Sequence, residues 1–229
     1  MGQIRLSGNP PISVTVRRSA RAKKLSLRLS RLDGRVTLTL PKGVSEQEGR
    51  DFVLSKEDWL RGHLDKHEAA AIVSLGQSLP IHGRNVALVP GSGRSVKRSG
   101  DTLMIPGAEA QVPRRVQAFL KTLARDRLAE ASDRYAARLG RPYNRLTLRD
   151  TRSRWGSCTA DGGLMYSWRL IMAPPEVLDY VAAHEVAHLQ EMNHSAAFWA
   201  VVEQLYGDWR GPRRWLRENG PALHRYRFD

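Results

Sequence analysis

The chain has 229 residues, of which 41% are hydrophobic, and it carries 37 Lys and Arg residues against 23 Asp and Glu residues. This length suffices for one large or two small domains, and the apolar fraction excludes a wholly disordered chain. The segment from Met1 to Ala20 has no apolar run, so the sequence predicts neither a secretory signal nor a membrane span. A single cysteine, Cys158, excludes an internal disulfide and favours a reducing compartment, so we expect a cytoplasmic protein.

The amino-terminal half is predicted to be rich in strands. Alternating apolar and polar residues predict strands at residues 12–16, 25–32 and 35–40, and shorter ones at residues 79–82, 86–89 and 102–105. Asp33 and Gly34 are typical of a hairpin turn. Ser45 and Glu48 have the spacing of a capping box, which predicts a helix that runs to about His67. We therefore predict a β-rich unit with one helix over residues 1–110.

The carboxy-terminal half is predicted to begin with a long helix. Pro113 suits the first turn of this helix, and Gly140 suits its end. Apolar residues between these positions recur on a single helical face. Further along, a turn at residues 161–163 precedes bulky alternating residues from Leu164 to Ile171, which predict a strand.

A second helix contains the most informative pattern of the chain. Residues 184–188 read His-Glu-Val-Ala-His, and His194 follows six residues later. Histidines four apart project from one helix face, so His184 and His188 can reach one zinc ion, and His194 can complete a tripod. Three histidines leave a fourth position for a water molecule, which is typical of catalytic zinc sites. Glu185 is placed to deprotonate that water, so we predict it to be the general base.

The sequence around the motif favours a helix. Pro174 and Pro175 can occupy the first helical positions, and Val177 and Val181 share the three-four spacing of the two helical histidines. Neutral imidazoles on an apolar stripe are costly to bury without a partner, which a metal ion would supply. The alternative is a pair of hydrogen-bonded core histidines. The strand at residues 164–171 would lie beside this helix and offer an edge to an extended peptide.

Several stretches near the motif carry a resemblance to a known family. They are Ser-Arg-Trp-Gly-Ser-Cys at residues 153–158, Tyr-Ser-Trp-Arg-Leu-Ile-Met-Ala-Pro-Pro at 166–175, Asn-His-Ser at 193–195, Phe-Trp at 198–199 and Asp-Trp at 208–209. With the histidine helix and residues 33–36, 41–44 and 56–59, they resemble the YgjP-like family of zinc metallopeptidases over nearly the whole chain. The resemblance implies an α+β fold whose zincin-like catalytic domain, over residues 111–229, packs the active-site helix beside a small sheet. It also implies a zinc cofactor held by His184, His188 and His194, with Glu185 as the general base.

The turn before the third histidine departs from the pattern of the metzincin peptidases, which carry a glycine midway between the second and third histidines. Glu191 occupies that position here. We therefore predict that Asn193 takes the left-handed conformation that ends the helix, and that Ser195 caps the next helix. Glu191 has two open interpretations, because its side chain can orient a ligand imidazole or simply be solvated.

The net charge of +14 is unevenly distributed. Residues 1–43 hold ten Lys and Arg residues and one acidic residue, and residues 113–154 hold twelve and four. A basic surface raises the affinity for polyanions, so nucleic acid is a candidate partner. A solvated basic surface without a specific partner is the alternative.

We therefore predict a zinc-dependent hydrolase, a peptidase that acts on peptide or protein substrates. Arg154, Tyr166 and Arg169 are candidates for a further polar group at the reaction centre, with a structural ion pair as the alternative for each arginine. Cys158 is predicted to be packed and inert rather than a fourth ligand. Two other classes stay open: a nucleic-acid-associated protease tethered by its basic surface, and a zinc-binding interaction module without catalysis.

Overall fold

A computed structural model describes residues 2–30, 34–64 and 70–229. The chain divides into two compact units, Met1–Ala70 and Ala71–Asp229, which we call unit 1 and unit 2. Each unit has its own cluster of buried apolar side chains. The division therefore lies near residue 70, whereas the sequence predicts it near residue 110.

Unit 1 contains a four-stranded sheet with one apolar face. Its strands are β1 (Gln3–Leu6), β2 (Ile12–Ser19), β3 (Ser26–Leu29) and β4 (Val36–Pro41), in the order β1-β2-β4-β3. β2 and β4 are parallel, and the other pairs are antiparallel. Val36, Leu38 and Leu40 alternate with threonines and are buried, so one face of the sheet builds the core of the unit. β3 and β4 pair as the hairpin pattern predicts, although residues 31–33 of the connection lie outside the described residues.

Two short helices of unit 1 replace the single helix that the sequence predicts. They are α1 (Glu46–Leu54) and α2 (Glu57–Leu64). The predicted capping box is present, since the Ser45 hydroxyl accepts a hydrogen bond from the Glu48 amide while the Glu48 carboxylate accepts one from the Ser45 amide. The helix is interrupted at Ser55 and Lys56, and acidic residues at the start of α2 favour a new helix amino terminus there. His67 lies outside the described residues.

The first part of unit 2 combines a second sheet with the long helix. The strands are β5 (Ala71–Ile72), β6 (Ser78–Ile81), β7 (Arg84–Pro90), β8 (Lys97–Ser99) and β9 (Thr102–Ile105), and the helix is α3 (Val112–Leu139). β6 to β9 form one sheet in the order β6-β7-β9-β8. Leu88 and Leu103 of this sheet belong to the same buried cluster as Val116 and Leu120 of α3, which is why the sheet joins unit 2. Gly140 ends α3 with a φ of 69°, as predicted.

The second part of unit 2 places a three-stranded sheet among helices. Its elements are β10 (Arg145–Arg149), β11 (Gly156–Cys158), β12 (Gly163–Ser167), a 3-10 helix (Trp168–Met172), α4 (Pro175–Ala187), α5 (Ala196–Tyr206), α6 (Arg210–Asn219), a 3-10 helix (Gly220–His224) and β13 (Tyr226–Arg227). The sheet order is β10-β12-β11, with β10 parallel and β11 antiparallel to β12. β13 pairs in parallel with β5.

The predicted strand from Leu164 to Ile171 is only partly correct. β12 ends at Ser167, and the residues from Trp168 to Met172 form a 3-10 helix in which every side chain is buried. An apolar run that is buried on all sides does not show the alternation that separates a strand from a helix. The predicted α+β class is confirmed. Within the described residues, no helix has the length and apolarity needed to cross a bilayer.

Candidate metal centre

Helix α4 places two of the three histidines. Pro175 occupies its first turn, as predicted, and most of its side chains are buried in the core of unit 2. His184 lies in the last turn, and His188 is the residue that caps the carboxy terminus of the helix. Both therefore extend from the end of a helix that packing holds in place, which fixes the backbone beneath the two rings.

The turn after α4 brings the third histidine back. The amide groups of Leu189, Gln190 and Glu191 donate to carbonyl oxygens of the last helical turn at 2.9 to 3.0 Å. Asn193 does not take the predicted left-handed conformation, because these hydrogen bonds of the last helical turn complete the turn without a positive φ at this residue. Ser195 caps α5 as predicted, and its hydroxyl accepts a hydrogen bond from the Phe198 amide at 3.3 Å.

The three histidine rings converge. One nitrogen from each of His184, His188 and His194 lies within 4.8 Å of the others, and the two Nε2 atoms of His184 and His194 are 3.1 Å apart. Two nitrogens bound to one tetrahedral zinc ion lie about 3.3 Å apart, given a zinc–nitrogen distance of about 2.0 Å. The cluster can therefore hold a metal ion.

The chemistry of the rings also fits a metal ligand set. Burial and the neighbouring histidines lower the pKa of His184 to about 3, and burial lowers the pKa of His188. Both rings are therefore neutral at physiological pH and have a lone pair to donate. The Nδ1 atom of His188 is 2.9 Å from the backbone carbonyl of Glu191, which leaves Nε2 for a ligand. Glu191 thus contacts the site through its backbone, whereas both earlier interpretations concerned its side chain.

Aromatic side chains enclose the cluster. Phe198 stacks on His188 with ring centroids 4.4 Å apart, and Tyr180 meets the edge of His184 at 5.8 Å. Trp199 is 5.9 Å from His194 and stacks on Trp209. These contacts restrict ring rotation, so the ligand nitrogens are held in position before any ion binds.

Glu185 is buried beside the cluster and against strand β11. Only 5% of its surface is exposed, and burial raises the pKa of its carboxyl to about 8, while the Arg154 guanidinium acts in the opposite direction. A Cβ atom added to Gly156 would lie 2.5 Å from Glu185 Oε1. Only glycine leaves room for the carboxyl at this position. The sequence contains no local signal for this role of Gly156, because the contact joins residues that are far apart along the chain.

A cleft of 360 Å³ opens over these groups. It is lined by Arg154, Gly156, Ser157, Cys158, His184, Glu185, His188, Met192 and His194. Strand β11 borders the cleft, and among the described residues it pairs only with β12, so its other edge is unpaired. The strand predicted to offer its edge, which became β12, is the middle strand and pairs on both sides. The edge available to an extended peptide therefore belongs to β11.

Of the other residues considered in the sequence, only some reach this cleft. Arg154 lines it, but the Tyr166 hydroxyl is fully buried and lies 3.0 Å from the Ser132 hydroxyl. Arg169 is also buried, where it binds Asp150 at 2.6 Å and the carbonyl oxygens of two residues near the carboxy terminus. Tyr166 and Arg169 are therefore structural. Cys158 lines the cleft, and burial raises the pKa of its thiol to about 11, so it is protonated at neutral pH.

Comparisons with known proteins identify a family for the chain. The family model of the YgjP-like metallopeptidase domain matches residues 23–219. No curated protein matches the chain significantly. Among solved structures, the metallopeptidase zymogen of Pyrococcus abyssi abylysin is 22% identical, over 42% of this chain and 92% of that one, with a TM-score of 0.34. Since the family model spans most of its length, the chain belongs to the YgjP-like metallopeptidase family.

Proposed function

We propose that the chain is a zinc-dependent peptidase, in which His184, His188 and His194 hold the ion and Glu185 is the general base. The observation that carries the proposal is the convergence of three imidazole nitrogens beside a buried carboxyl group in one cleft. Membership of a metallopeptidase family implies a metal. The free Cys158 thiol supports a cytoplasmic location.

The donor set favours zinc among the common metals. All three donors are imidazole nitrogens, which suit zinc better than calcium or magnesium, since those ions prefer oxygen ligands. When bound, zinc would supply Lewis acidity, which polarises a carbonyl oxygen and lowers the pKa of water to about 7. A set of three protein ligands would leave a fourth coordination position for water or substrate, whereas structural zinc sites usually have four protein ligands.

Glu185 moves the proton in this proposal. Its carboxylate takes a proton from the attacking water at Oε1 or Oε2 and then passes it to the nitrogen of the leaving amine. Beside a bound zinc ion the ionised carboxylate would be favoured before the first step, and the apolar surroundings would let the carboxyl hold the proton between the two steps. Gly156 keeps the carboxyl aligned because the strand backbone passes directly against it.

Strand β11 orients the substrate. Its unpaired edge borders the cleft, so an extended peptide can pair with the backbone of Gly156, Ser157 and Cys158. A peptide in this position would run past the histidine cluster and Glu185. The guanidinium of Arg154 is the cationic group in the lining of the cleft, and we assign it to contacts with the polar groups of the bound peptide.

The first experiment measures zinc and hydrolysis together. Wild-type protein purified without chelator should contain about one zinc ion per chain and should hydrolyse unfolded casein. His188→Ala should lose both properties, while His63→Ala, which alters an exposed histidine in unit 1, should keep both. A wild-type protein that takes up no zinc when zinc is added would refute the proposal. Stoichiometric zinc without hydrolysis of any peptide would instead favour the non-catalytic zinc-binding module.

A second candidate function, binding of nucleic acid, rests on the outer face of the unit 1 sheet. Arg5, Arg17 and Arg28 are exposed on this face, and each is paired in register with a serine or threonine. No acidic residue occupies the outward positions of these four described strands. Because aromatic residues are also lacking there, the face suits contact with phosphates rather than stacking on bases.

This second function can be tested separately. The variant Arg5→Gln/Arg17→Gln/Arg28→Gln should bind a labelled 20-base-pair DNA duplex about tenfold more weakly than wild type at 50 mM salt, because three phosphate contacts are removed. Its dependence on salt should be correspondingly shallower. Arg84→Gln/Arg114→Gln, with charges removed from unit 2, is the control. Equal affinity in all three proteins would eliminate the proposed binding face.

A further inference from the structure

A cationic groove lies on the outer face of the three-stranded sheet in unit 2. Its volume is 620 Å³, and its lining includes three arginines, five hydroxyl side chains and no carboxylate. The arginines are Arg145, Arg149 and Arg154. Of these three arginines, only Arg154 has a role in the proposed function.

The register of the sheet explains why these side chains meet. Arg145, Thr147 and Arg149 alternate along β10 and therefore point to the same face. Thr147 is in register with Met165 of β12, which is in register with Ser157 of β11, so the groove crosses all three strands. The residues between them, such as Leu146 and Leu148, pack against the core on the opposite face.

The positive charge of the groove is largely uncompensated. Arg149 and Arg154 form no ion pair with any residue in the described ranges, and Arg145 pairs only with Asp161, at 3.5 Å and in contact with solvent. The nearest carboxylate in sequence, Asp150, is held by Arg169 at 2.6 Å. A concave surface with this balance attracts anionic groups.

The groove continues into the metal cleft. Arg154 and Ser157 line both cavities. A peptide paired with the edge of β11 would direct alternate side chains to the two faces of the sheet, and one of these faces carries the groove. Side chains directed to that face enter the groove beside Arg154, and the groove extends from there to Arg145 and Arg149. No aromatic residue lines the groove to stack on a nucleic acid base.

We propose that this groove is a substrate subsite for acidic side chains, so that the enzyme selects aspartate- and glutamate-rich segments. The inference rests on the proposed peptidase function, because it assigns the substrate class of that site. Arg145 and Arg149 act as specificity residues. They lie on β10, two strands from the edge of β11 at which the peptide backbone is bound, and they bind carboxylates that enter the groove.

A binding experiment tests the groove without any turnover. Zinc-loaded Glu185→Gln protein is titrated against a fluorescein-labelled 12-residue peptide of alternating Glu and Ala, the same peptide with Gln in place of Glu, and a 12-nucleotide RNA. The glutamate peptide should bind about tenfold more tightly than the glutamine peptide, since two exposed arginine–carboxylate contacts contribute about threefold each. Adding Arg145→Gln/Arg149→Gln should reduce this ratio to below threefold. Adding Arg84→Gln/Arg114→Gln instead, with the same change in charge outside the groove, should leave it unchanged.

Two results would overturn the proposal. The first is equal binding of the two peptides to the Glu185→Gln protein. The second is tighter binding of the RNA that is lost in the Arg145→Gln/Arg149→Gln background, which would assign the groove to nucleic acid.

Cleavage mapping separates this inference from the function on which it rests. Wild-type protein is incubated with tryptic peptides of a bacterial lysate, and the new termini are sequenced by mass spectrometry. We expect acidic residues to be enriched near the cleaved bond, and the enrichment to disappear in Arg145→Gln/Arg149→Gln while neutral peptides are still cut. Cleavage without acidic enrichment overturns the subsite and leaves the peptidase intact. No cleavage, together with binding that depends on the glutamates and on the groove arginines, overturns the peptidase and supports the anion-binding groove.

Discussion

The sheet of unit 1 and the three-stranded sheet of unit 2 have outer faces built from the same residue types. Both faces present arginines among serine and threonine side chains, and both sheets bury an apolar face against their own core. They differ at the edge. In unit 2 the edge strand β11 lies against the end of α4, where three histidines and a buried glutamate are gathered. The basic face of unit 1 therefore has charge without neighbouring reactive groups, whereas the basic face of unit 2 adjoins a cluster that can hold a metal ion.

The largest expected effect is a loss of hydrolysis when the proposed base is removed, because this change should affect the function proposed for unit 2 and leave that proposed for unit 1 intact. Glu185→Gln should reduce peptide hydrolysis by roughly 100- to 10,000-fold, because it removes the group that transfers the proton. Zinc content and DNA binding should be unchanged, as neither uses the carboxyl. Steady-state hydrolysis, plasma mass spectrometry and fluorescence anisotropy measure the three properties. Wild-type turnover in a zinc-loaded Glu185→Gln protein would show that Glu185 is not the base.

The next effect concerns the stability of unit 2 alone. Arg169 is 7% exposed, and Arg169→Met would leave Asp150 and the carbonyl oxygens of Leu223 and Tyr226 without their donor. We expect the free energy of unfolding of unit 2 to fall by about 3 kcal/mol. Calorimetry should show this loss in one transition, with unit 1 unaffected. Asp150→Asn, a change at the more exposed partner, should cost less, and a loss equal to that of Arg169→Met would contradict this account.

A single methyl group tests the contact between strand and helix. In Gly156→Ala the new Cβ would overlap Glu185, so the buried carboxyl must shift and hydrolysis should fall by about 10- to 100-fold. The control is Gly62→Ala in helix α2 of unit 1, where a Cβ would have no neighbour within 4 Å. That substitution should leave hydrolysis unchanged and stabilise the helix by up to about 1 kcal/mol. Equal activity of both variants would mean that the approach of Gly156 does not position the base.

The smallest expected effect is a pH dependence that belongs to unit 2. Burial and the positive charge of Arg169 lower the pKa of His224 to about 4, from an ordinary value of 6.5. The unfolded chain therefore binds a proton at His224 below pH 6.5 more readily than the folded chain, so its contribution to stability is present above pH 6.5 and is lost as the pH falls towards 4.

The contribution of His224 can be isolated by comparing the pH dependence of stability in wild type and in His224→Gln. Between pH 7 and pH 5 the wild-type unit should lose about 1 kcal/mol more than His224→Gln, after allowance for solvent screening. Urea unfolding of metal-free protein measures both losses, and the histidine cluster contributes equally to each. An identical pH dependence in the two proteins would contradict the assignment to His224.

Local patterns predict the parts of the molecule that local interactions determine. The histidine helix, the capping box at Ser45, the long helix that ends at Gly140 and the cap at Ser195 all follow from spacing within a few residues. The predicted left-handed Asn193 is wrong because hydrogen bonds of the last turn of α4 provide an alternative path for the chain.

The remaining features depend on contacts between distant residues. Gly156 faces Glu185 across 29 positions of sequence, and the groove arginines share a face because β10 pairs in parallel with β12. No local pattern specifies such pairing. The division near residue 70 has the same cause, since the strands of residues 78–105 join the unit whose helix covers them.

The pairing of β5 with β13 has a consequence for the timing of folding. The two-stranded sheet of residues 71–72 and 226–227 cannot form until residues 226–227 have been synthesised. The segment before β13 packs against Trp155, which is next to the strand that borders the cleft. Domains fold as units during synthesis, amino-terminal first, so unit 1 can fold while unit 2 is still being translated. Trp155 can make these contacts only once residues 220–224 have been synthesised. The support beside the cleft therefore forms late in the folding of unit 2, after all three histidines of the cluster have been synthesised.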